Sequence, residues 1–566
     1  MRMSGGAALV EVLRAQKVPV VFGLIGSSTM EIFDALYEAP DIAYVGVRHE
    51  AAGTHMADAF ARVSGSVGVL LAGQNGPGAT NLVTGLAQAY LAFSPVVAIA
   101  GYPTSSHVDR GTFQEIDQQA LFTPITKKTF TVHSASRLPE YLLQACRIAR
   151  TGRPGPVVVN VPRDLLATEI DGPTGAEFAD CQVYPSAPSP ASLQKAISLL
   201  AQSERPLIIA GGGVTASRSS RQLVELGERL GAPIAAAAGH PDVIPNDHPL
   251  YAGQVGPRGN RVATDMALRA DVILALGTRL GFNTTFFSHD NLGKDARIIQ
   301  VEVDAQAVGR HFPVDVGIVS NAGLALDALC AFAWENRPST RERWTQEFHS
   351  SMAALLAERQ TTARQSGKAL HPAAVCAAIQ SVLPRRVIVT LDAGTCCLQA
   401  TDLLRTFEAP SVITPLDFGL VGFSFAAGMG AKAAAPSRPV LSLIGDGGFG
   451  MTMGEIGTAI LHGLNTVTLI MNNGCWGAEK AYQRDFYSGR YVGSDLTNPN
   501  FADVANASGA TGVRAETATE VSEALAAAFE RNGPTIIDVP VDPDAIVSFR
   551  RDSFAHRQVP PTLPGA

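Results

Sequence analysis

Short apolar runs alternate with longer amphipathic stretches in the first part of the chain. The runs predicted to be β-strands are VPVVFGLIG, IAYVGV, VGVLLAG, PVVAIAG and PVVVNVP, and EAAGTHMADAFARVSG is predicted to be a helix. Strands that are apolar throughout, rather than at every second residue, are typical of sheets buried on both faces. The alternation therefore predicts a parallel sheet with helices on both sides.

Two further units repeat this plan later in the chain. The second contains PLIIAGGG, DVILALG and ARIIQVEVD, and the third contains RVIVTLDAG, PVLSLIGDGG, TVTLIMNN and PTIIDVPV. Residues 167–190 are rich in Pro, Gly and Ser, and residues 332–368 become polar and helical, which marks two boundaries. We therefore predict the α/β class, with three doubly wound parallel-sheet domains at 1–170, 190–335 and 365–545, followed by a tail at 546–566.

Length, charge and cysteine usage narrow the class of protein. The 566 residues suit three domains of ordinary size. With 44 basic and 51 acidic residues the net charge is −7, so no nucleic-acid partner is expected. We find no signal-peptide core, no apolar run of membrane-spanning length and no zinc-type spacing among the seven cysteines. These features predict a cytoplasmic protein without membrane association.

Two polar motifs follow consecutive apolar strands in the third unit. Gly445-Asp446-Gly447 ends PVLSLI, and Asn472-Asn473 ends TVTLIM, with residues 448–471 between them. Gly447 and Gly448 let backbone N–H groups approach anionic oxygens closely. A helix is expected to begin at about Thr452. A turn that joins a parallel strand to such a helix is suited to binding phosphate. Taken alone, the Gly-Asp-Gly turn would be an ordinary strand–turn–helix connection.

The same motifs supply oxygen ligands for a metal ion. Asp446 offers a carboxylate, Asn473 a side-chain carbonyl and Cys475 a backbone carbonyl, and Mg²⁺ prefers such oxygens together with phosphate and water. This pair of motifs at this spacing resembles the signature of thiamine diphosphate (ThDP) enzymes. The resemblance implies that the chain binds ThDP through Mg²⁺ and makes or breaks a bond next to a carbonyl carbon.

Arg48-His49-Glu50 stands at the end of the strand IAYVGV. In ThDP enzymes the matching Glu hydrogen-bonds the aminopyrimidine ring and promotes loss of the thiazolium C2 proton, and the thiazolium then serves as an electron sink. The resemblance therefore implies that Glu50 is catalytic. Without it, Glu50 would be read as a carboxylate stabilised at a helix N-terminus.

Other positions match segments that hold the cofactor in ThDP enzymes. They are Gly76, Pro77, Gly78 and Asn81 beside the pyrimidine ring, and Gly394, Thr395, Gly419, Val421, Gly447, Gly448 and Trp476 in the third unit. Val421 would stand between the two rings, where a larger Leu, Ile or Met is the expected residue. Gln114 matches a polar residue that often faces the substrate and is our second catalytic candidate. A buried turn at 76–78 and a polar loop at Gln114 are the alternative interpretations.

The resemblance to the acetolactate-synthase-like group of ThDP enzymes covers nearly the whole chain. Three segments resemble the sulfoacetaldehyde acetyltransferase family in particular: QNGPG at 74–78, WGAEKAYQRDFYSGR at 476–490 and FRRD at 549–552. That family cleaves sulfoacetaldehyde with phosphate to give acetyl phosphate and sulfite. The resemblance therefore implies a small carbonyl substrate and phosphate as partners.

Two anionic reactants call for cationic side chains. Our candidates are Lys480, Arg484, Arg550 and Arg551, because guanidinium forks match sulfonate and phosphate oxygens. Each could equally be a solvated surface charge. The other candidates for the substrate pocket are Ser27, Ser28, Gln114, Cys397 and Trp476. For the cysteine, a small buried apolar residue is the commoner role.

Several features keep other functions open. Cys396-Cys397 and residues 420–425 depart from the acetyltransferase pattern, while 277–284 and the strand VEVD resemble benzaldehyde lyase and its relatives. A lyase, carboligase or decarboxylase acting on 2-hydroxy ketones, 2-oxo acids or 2-hydroxyacyl thioesters is the main alternative. A ThDP-binding protein without turnover is a remote one. Residues 210–213 match the glycine motif of nicotinamide-binding proteins only weakly. No residue indicates that the central domain binds FAD or ADP.

The resemblance also implies an assembly. In ThDP enzymes the pyrimidine domain of one subunit meets the diphosphate domain of another, so Glu50 and Asp446 would serve one site from two chains. We therefore expect a homodimer as the minimum active unit and a homotetramer as the common form in this group. The basic, Pro-rich tail at 546–566 is a candidate lid over that site.

Overall fold

The computed structural model describes residues 2–172, 183–334, 338–363 and 369–549, with Phe554 and His556. The chain divides into two compact units. The first comprises residues 1–186, 423–440 and 452–466, and the second comprises residues 187–422, 441–451 and 467–566. None of the helices in the described ranges has both the length and the apolar character needed to cross a membrane.

The first unit contains a six-stranded parallel sheet in the order β3-β2-β4-β5-β7-β6, and β1 pairs antiparallel with β8 outside it. Its strands are β1 (Arg2–Ser4), β2 (Val20–Leu24), β3 (Ala43–Gly46), β4 (Gly68–Ala72), β5 (Val96–Tyr102), β6 (Lys128–Thr131), β7 (Val157–Pro162) and β8 (Glu169–Asp171). Its helices include α1 (Gly5–Ala15), α2 (Met30–Tyr37), α3 (Glu50–Ser64), α4 (Gly76–Leu91), α5 (Gln118–Phe122), α6 (Leu138–Arg150) and α7 (Arg163–Ala167).

Alternate residues of these strands face opposite helical layers. Val21, Val69 and Leu71 belong to the core that includes α1, α2 and α6. Phe22, next to Val21 in β2, instead packs its ring against Phe60 of α3, with centroids 5.9 Å apart. Because successive strand residues point to opposite faces, both faces of the sheet are buried, which explains the continuous apolar runs.

A second six-stranded sheet lies in the second unit, in the order β11-β10-β9-β12-β13-β14. Its strands are β9 (Pro206–Ala210), β10 (Ile234–Ala236), β11 (Tyr251–Gln254), β12 (Val272–Leu276), β13 (Arg297–Glu302) and β14 (Val316–Val319). Its helices are α8 (Pro190–Gln202), α9 (Gly212–Ala216), α10 (Ser220–Leu230), α11 (Arg261–Arg269), α12 (Phe282–Thr285), α13 (Ala322–Cys330) and α14 (Thr340–Ala363).

The central sheet is likewise covered on both faces. Ile208 and Leu274 lie in the core that includes α8, α10 and α13, whereas Ile209 and Ile273 lie in the core that includes α11 and α14. Trp344 anchors α14 in this second core, where its indole N–H donates to the Pro206 carbonyl at 3.0 Å.

The third sheet has the order β16-β15-β17-β18-β20-β19. Its strands are β15 (Ile388–Leu391), β16 (Val412–Ile413), β17 (Val440–Gly445), β18 (Val467–Asn472), β19 (Thr511–Arg514) and β20 (Thr535–Pro540). The helices of this part of the chain are α15 (Pro372–Val382), α16 (Thr395–Leu403), α17 (Ser424–Ala434), α18 (Asp446–Thr452), α19 (Ile456–Leu461), α20 (Gly477–Phe486), α21 (Phe501–Ala507) and α22 (Ala518–Glu530).

Two of these helices, α17 and α19, belong to the first unit rather than to the second. α17 packs closely on α3, because Gly430 has no side chain: a Cβ there would lie 2.1 Å from the Met56 carbonyl oxygen. Three parallel sheets with helices on their faces confirm the predicted α/β class.

One sequence expectation about this region is wrong. The helix after the Gly-Asp-Gly turn begins at Asp446, not near Thr452, and Thr452 is where it ends. An acidic side chain in the first turn suits the positive end of a helix dipole, so Asp446 stabilises the helix start that we placed further along the chain.

Candidate cofactor-binding and active site

A cleft in the second unit lies where β15, β17 and β18 end. It is lined by the first residues of two helices, Thr395 of α16 and Gly477 of α20, and by the turn at 445–448 between them. The cleft holds about 700 Å³ of empty space, part of it open to solvent. Helix starts present unpaired N–H groups and a positive dipole end, so the cleft is suited to an anionic group such as a diphosphate.

The charges along this cleft are unusual for an anion site. Four acidic residues line it, namely Asp392, Asp446, Glu479 and Asp542, and its lining within the described part of the chain contains no lysine or arginine. A diphosphate held here would need a cation to balance its charge and that of Asp446. Mg²⁺ is commonly bound through one or two carboxylates together with phosphate oxygens, so the donor set fits a metal-bound diphosphate.

The three expected metal donors come together in this cleft. Asp446, Asn473 and Cys475 all line it. Burial raises the pKa of Asp446, while hydrogen bonds from Asn498 and from the backbone N–H of Gly474 oppose that shift. Burial also raises the pKa of the Cys475 thiol to about 11, and the donor that we predicted at this residue is its backbone carbonyl. In the described ranges, no three His, Cys, Asp or Glu side chains cluster as a metal site.

Two glycines keep the cleft open. A Cβ on Gly448 would lie 2.2 Å from Oδ2 of Asp392, and one on Gly447 would lie 2.5 Å from the ring of Trp476. Both positions are therefore closed to larger residues. Gly394, with a φ of +102°, precedes α16 in a conformation that favours glycine. The absence of side chains at these glycines would allow phosphate oxygens to approach the backbone closely.

Asp392 lines the cleft, although we predicted no role for it from the sequence. It directly follows β15 and is buried, and its Oδ2 accepts the backbone N–H of Gly422 at 3.0 Å. Asp392 thereby fixes the segment that carries Gly419 and Val421, of which Val421 lines the cleft. An Asp after an apolar strand is a weak signal, because its partner is thirty residues away in sequence.

In the first unit, Glu50 is the first residue of α3 and is buried. Asn81 of α4 donates its side-chain amide to Oε2 of Glu50 at 2.9 Å. A Cβ on Gly78 would lie 3.3 Å from Oε1 of the same carboxylate. The structure therefore brings together three residues that we predicted for the pyrimidine end of the cofactor, and Pro77 occupies the first turn of α4 between them.

Glu455 holds the backbone that leads into Glu50. It is 2% exposed and accepts the backbone N–H groups of Arg48 and His49, each at 3.0 Å, and the hydroxyl of Thr458 at 2.6 Å. Burial raises the pKa of Glu455, and these hydrogen bonds oppose the rise. Its role could not be found from the sequence, because its partners are backbone groups some 407 residues away.

A network of neutral polar side chains lies at the ends of β2 and β4. The Ser28 hydroxyl donates to Gln74 Oε1 at 3.1 Å and also contacts Asn75, and the Gln74 amide donates to Ser27 at 3.3 Å. The backbone N–H of Gly76 donates to the carbonyl of Gln114 at 3.0 Å. Three predicted substrate residues, Ser27, Ser28 and Gln114, therefore belong to one neighbourhood.

Gln114 adopts a backbone conformation that is rare for its type, with a φ of +61°. Residues other than glycine are sparse in this left-handed region, and such positions concentrate at functional sites. A Cβ on Gly76 would lie 2.5 Å from the Gln114 carbonyl oxygen, so the loop and the start of α4 are in close contact. This placement is compatible with the substrate-facing role that we expect for Gln114.

The two predicted cations that the structure describes, Lys480 and Arg484, lie outside the cleft lining. Lys480 pairs with Asp495 at 2.7 Å, and Arg484 pairs with Asp485 at 2.7 Å and donates to the Ile546 carbonyl at 3.0 Å. Of the remaining candidates, Trp476 lines the cleft. Cys397 lies in α16, but its side chain is outside the described part of the chain, as are Arg550 and Arg551.

The described part of the tail rests on α20. Phe554 packs its ring against Tyr482 and Phe486, each with centroids 4.9 Å apart, and the Ser548 hydroxyl donates to Asp485 at 2.6 Å. Ala545, just before the tail, lines the cleft. The tail therefore follows directly from the cleft wall, and its role as a lid remains a prediction.

Three family models match successive parts of the chain. Residues 3–121 match the thiamine pyrophosphate enzyme N-terminal TPP binding domain, residues 193–329 match the central domain, and residues 392–539 match the C-terminal TPP binding domain. Thiamine pyrophosphate (TPP) is another name for ThDP. The second and third matches fall on the central and third sheets.

The chain is similar over nearly its whole length to proteins named as sulfoacetaldehyde acetyltransferases and to proteins named as acetolactate synthases. It is 35% identical to a sulfoacetaldehyde acetyltransferase of Castellaniella defragrans and 34% identical to one of Alcaligenes xylosoxydans xylosoxydans, each over 98% of this chain and 96% of that protein. It is 33% identical to a probable acetolactate synthase large subunit of Methanocaldococcus jannaschii, over 96% of this chain and 92% of that protein.

Proposed function

The chain belongs to the thiamine pyrophosphate enzyme family and is a ThDP-dependent enzyme, and on that basis we propose that it transfers an acetyl group from sulfoacetaldehyde to phosphate. The observation that carries the proposal is the position of Gln74, the first residue of the QNGPG segment. Gln74 and Glu50 both lie close to Gly78. A Cβ on Gly78 would be 3.5 Å from the Cβ of Gln74 and 3.3 Å from Oε1 of Glu50. Gln74, which belongs to a segment that resembles the acetyltransferase family, thus lies beside the candidate catalytic carboxylate.

The chemistry balances without an external oxidant or reductant. The C–S bond of sulfoacetaldehyde breaks, and its electron pair leaves with sulfite. A new C–O bond joins the former aldehyde carbon to a phosphate oxygen. The aldehyde C–H bond also breaks and its hydrogen leaves as a proton, so that carbon is oxidised to the acyl level. The neighbouring carbon takes up a proton in place of sulfite and is reduced from CH₂ to CH₃. Bound ThDP supplies the nucleophilic carbon and the electron sink that such a rearrangement needs.

One group of residues would bind the metal and the diphosphate, and a second group would act at the aminopyrimidine ring. Asp446, Asn473 and the Cys475 carbonyl would hold Mg²⁺, with the glycine turn and the start of α16 receiving the diphosphate. Glu50 would hold a proton at the aminopyrimidine ring, in an orientation fixed by Asn81. A neutral network of hydroxyl and amide groups at Ser27, Ser28 and Gln74 suits a small oxygen-rich reactant better than a bulky apolar one, since its polar groups would be left unpaired by the latter.

We also propose a homodimer as the minimum active unit, with a homotetramer as the expected form, and a cytoplasmic location. The dimer is supported by the resemblance, in which Glu50 of one chain and Asp446 of another serve one site. The four described cysteines, none of which forms a disulfide bond, support the location.

A second function has specific support. The similarity to acetolactate synthases spans 96% of the chain, and the two described cations that we assigned to anion binding, Lys480 and Arg484, are paired with Asp495 and Asp485. An enzyme that condenses 2-oxo acids is therefore the alternative to the acetyltransferase.

Sulfite release separates the two candidates. The purified enzyme with ThDP and Mg²⁺ would be given sulfoacetaldehyde with and without inorganic phosphate, and pyruvate in a parallel arm. We expect sulfite release that depends on phosphate, with no acetolactate from pyruvate. Acetolactate formation without sulfite release would reject the acetyltransferase in favour of the carboligase.

A further inference from the structure

We propose that Asn498 is a positioning residue for the metal–diphosphate site, because its side-chain amide ties Asp446 to the neighbouring strand. The inference rests on the proposed Mg²⁺–ThDP site and assigns a role to a residue outside both sequence motifs. Asn498 lies between α20 and α21, 26 residues beyond Asn472.

The geometry around Asn498 joins the two halves of the motif. Its Nδ2 donates to Oδ2 of Asp446 at 2.6 Å and to Oδ1 of Asn472 at 3.2 Å. One amide group thereby connects the carboxylate at the end of β17 with the end of β18. Neither residue could turn its side chain without losing this shared donor.

The connection continues into the sheet. Asn472 donates its own amide to Oδ1 of Asp538 at 3.0 Å, and Asp538, in β20, is fully buried. Arg514 of β19 donates to Oδ2 of Asp538 at 3.1 Å. A chain of hydrogen bonds thus runs from Arg514 through Asp538, Asn472 and Asn498 to Asp446, and it anchors the Asp446 carboxylate to four neighbouring structural segments.

The loop that carries Asn498 is held independently of its side chain. The backbone N–H of Leu496 donates to Gly474 O at 2.8 Å, and that of Trp476 donates to Ser494 O at 2.7 Å. Removing the Asn498 side chain therefore leaves the loop attached to the segment that follows Asn473. The effect of such a change reports on the amide contact rather than on the path of the loop.

The chemical type of the residue also matters. A neutral amide orients Asp446 without cancelling its charge, whereas Lys or Arg in this place would compete with a metal ion for the carboxylate. Residues that hydrogen-bond a metal ligand orient it, and losing one such contact typically weakens metal binding by about 10- to 100-fold. We therefore expect Asn498 to act through Asp446 on the affinity for Mg²⁺.

The experiment is a Mg²⁺ titration of ThDP binding in the full-length protein. Tryptophan fluorescence would follow binding, since Trp476 lines the cleft. The variants are Asn498→Ala, Asn498→Leu, which keeps the volume without the donor, and the control Asn506→Ala. Asn506 is an exposed Asn of the same unit whose amide donates to the Gly512 carbonyl at 3.2 Å, away from the cleft lining.

We expect both Asn498 variants to raise the half-saturating Mg²⁺ concentration at least tenfold at saturating ThDP. We expect Asn506→Ala to leave that concentration unchanged. Wild-type-like Mg²⁺ dependence in a folded Asn498 variant would overturn the inference while leaving the proposed site intact. Absence of Mg²⁺-dependent ThDP binding in the wild-type protein would overturn the proposed site and the role of Asn498 together.

Discussion

The side-chain amide of Asn81 donates to the carboxylate of Glu50 at 2.9 Å, which links the first residue of α3 to the second turn of α4. Glu50 is buried at the start of α3, and the adjacent Gly78 leaves the space that its other oxygen occupies. Because the Asn81 amide holds one oxygen of this buried carboxylate, the orientation of the Glu50 side chain is defined. That orientation is what a proton-holding role at the cofactor ring would require.

Replacing Asn81 by Ala should lower turnover and leave the fold intact. A hydrogen bond to a charged group contributes about 1.5–3 kcal/mol, which corresponds to roughly a 10- to 100-fold loss in kcat. Steady-state kinetics with saturating ThDP would measure it. Thr80→Ala is the matched control, because Thr80 is exposed on the same helix and donates only to the Pro77 carbonyl. Equal activity in both variants would remove the role of Asn81.

Gly448 and Gly450 offer a matched pair within one helix. A Cβ on Gly448 would meet Asp392 Oδ2 at 2.2 Å, whereas a Cβ on Gly450 would have nothing within 4 Å. We expect Gly448→Ala to abolish ThDP binding, because the turn must move away from Asp392 and the cleft changes shape. Gly450→Ala should bind normally and gain up to about 1 kcal/mol of stability from helix propensity. Calorimetric ThDP titration and thermal unfolding would compare them, and normal binding by Gly448→Ala would contradict this account of the cleft.

Glu455 gives the protein a predictable pH dependence of stability. Burial raises its pKa above the ordinary value of 4.5, so the folded state binds a proton more tightly than the unfolded state does. The stability that this proton provides is present below pH 4.5 and is lost as the pH rises through the raised pKa.

Glu455→Gln removes that titration. The free energy of unfolding of the wild type relative to this variant should therefore fall as the pH rises from 4.5 through the raised pKa. Urea unfolding at a series of pH values would measure it, with the exposed Glu38→Gln as the control. A difference that grows with pH would show that the sign is wrong.

The proposed dimer predicts complementation between two inactive variants. Glu50→Gln and Asp446→Ala should each be inactive, because each removes one side of the site. If one site draws on two chains, dissociation and reassembly of an equal mixture should restore activity to about a quarter of the wild-type level, from one intact site in each mixed dimer. No recovery, in mixtures shown to contain mixed dimers, would favour a site within a single chain.

The sequence predicted the interior strands of each sheet better than the edges. Among the strands that we did not predict, β6, β11, β14, β16 and β19 lie at the outer edge of their sheets. An edge strand has one neighbour and one side towards solvent, so its pattern is mixed: β14 alternates between buried and exposed residues, and β19 has no buried residue. The interior β10 was missed for another reason, since its residues Ile234–Ala236 lie in an alanine-rich run that is equally suited to a helix.

The same distinction applies to the candidate site. Residues in motifs with fixed spacing, such as Asp446 and Asn473, were predictable, because the chemistry constrains their types and their places at strand ends. Asp392, Glu455 and Asn498 were not, because each acts through a partner that only the folded chain brings near. The cations Lys480 and Arg484 illustrate the reverse case, in which residue type indicated anion binding but the fold pairs them with Asp495 and Asp485.

Acetyl phosphate formation from sulfoacetaldehyde and inorganic phosphate is the most direct test of the proposed reaction. The wild type, Glu50→Gln and the exposed control Glu38→Gln would be compared with ThDP and Mg²⁺ present. We expect acetyl phosphate and sulfite in equal amounts from the wild type and the control, and neither product from Glu50→Gln. No acetyl phosphate from wild-type protein that binds ThDP would contradict the acetyltransferase and direct the search to 2-oxo acids.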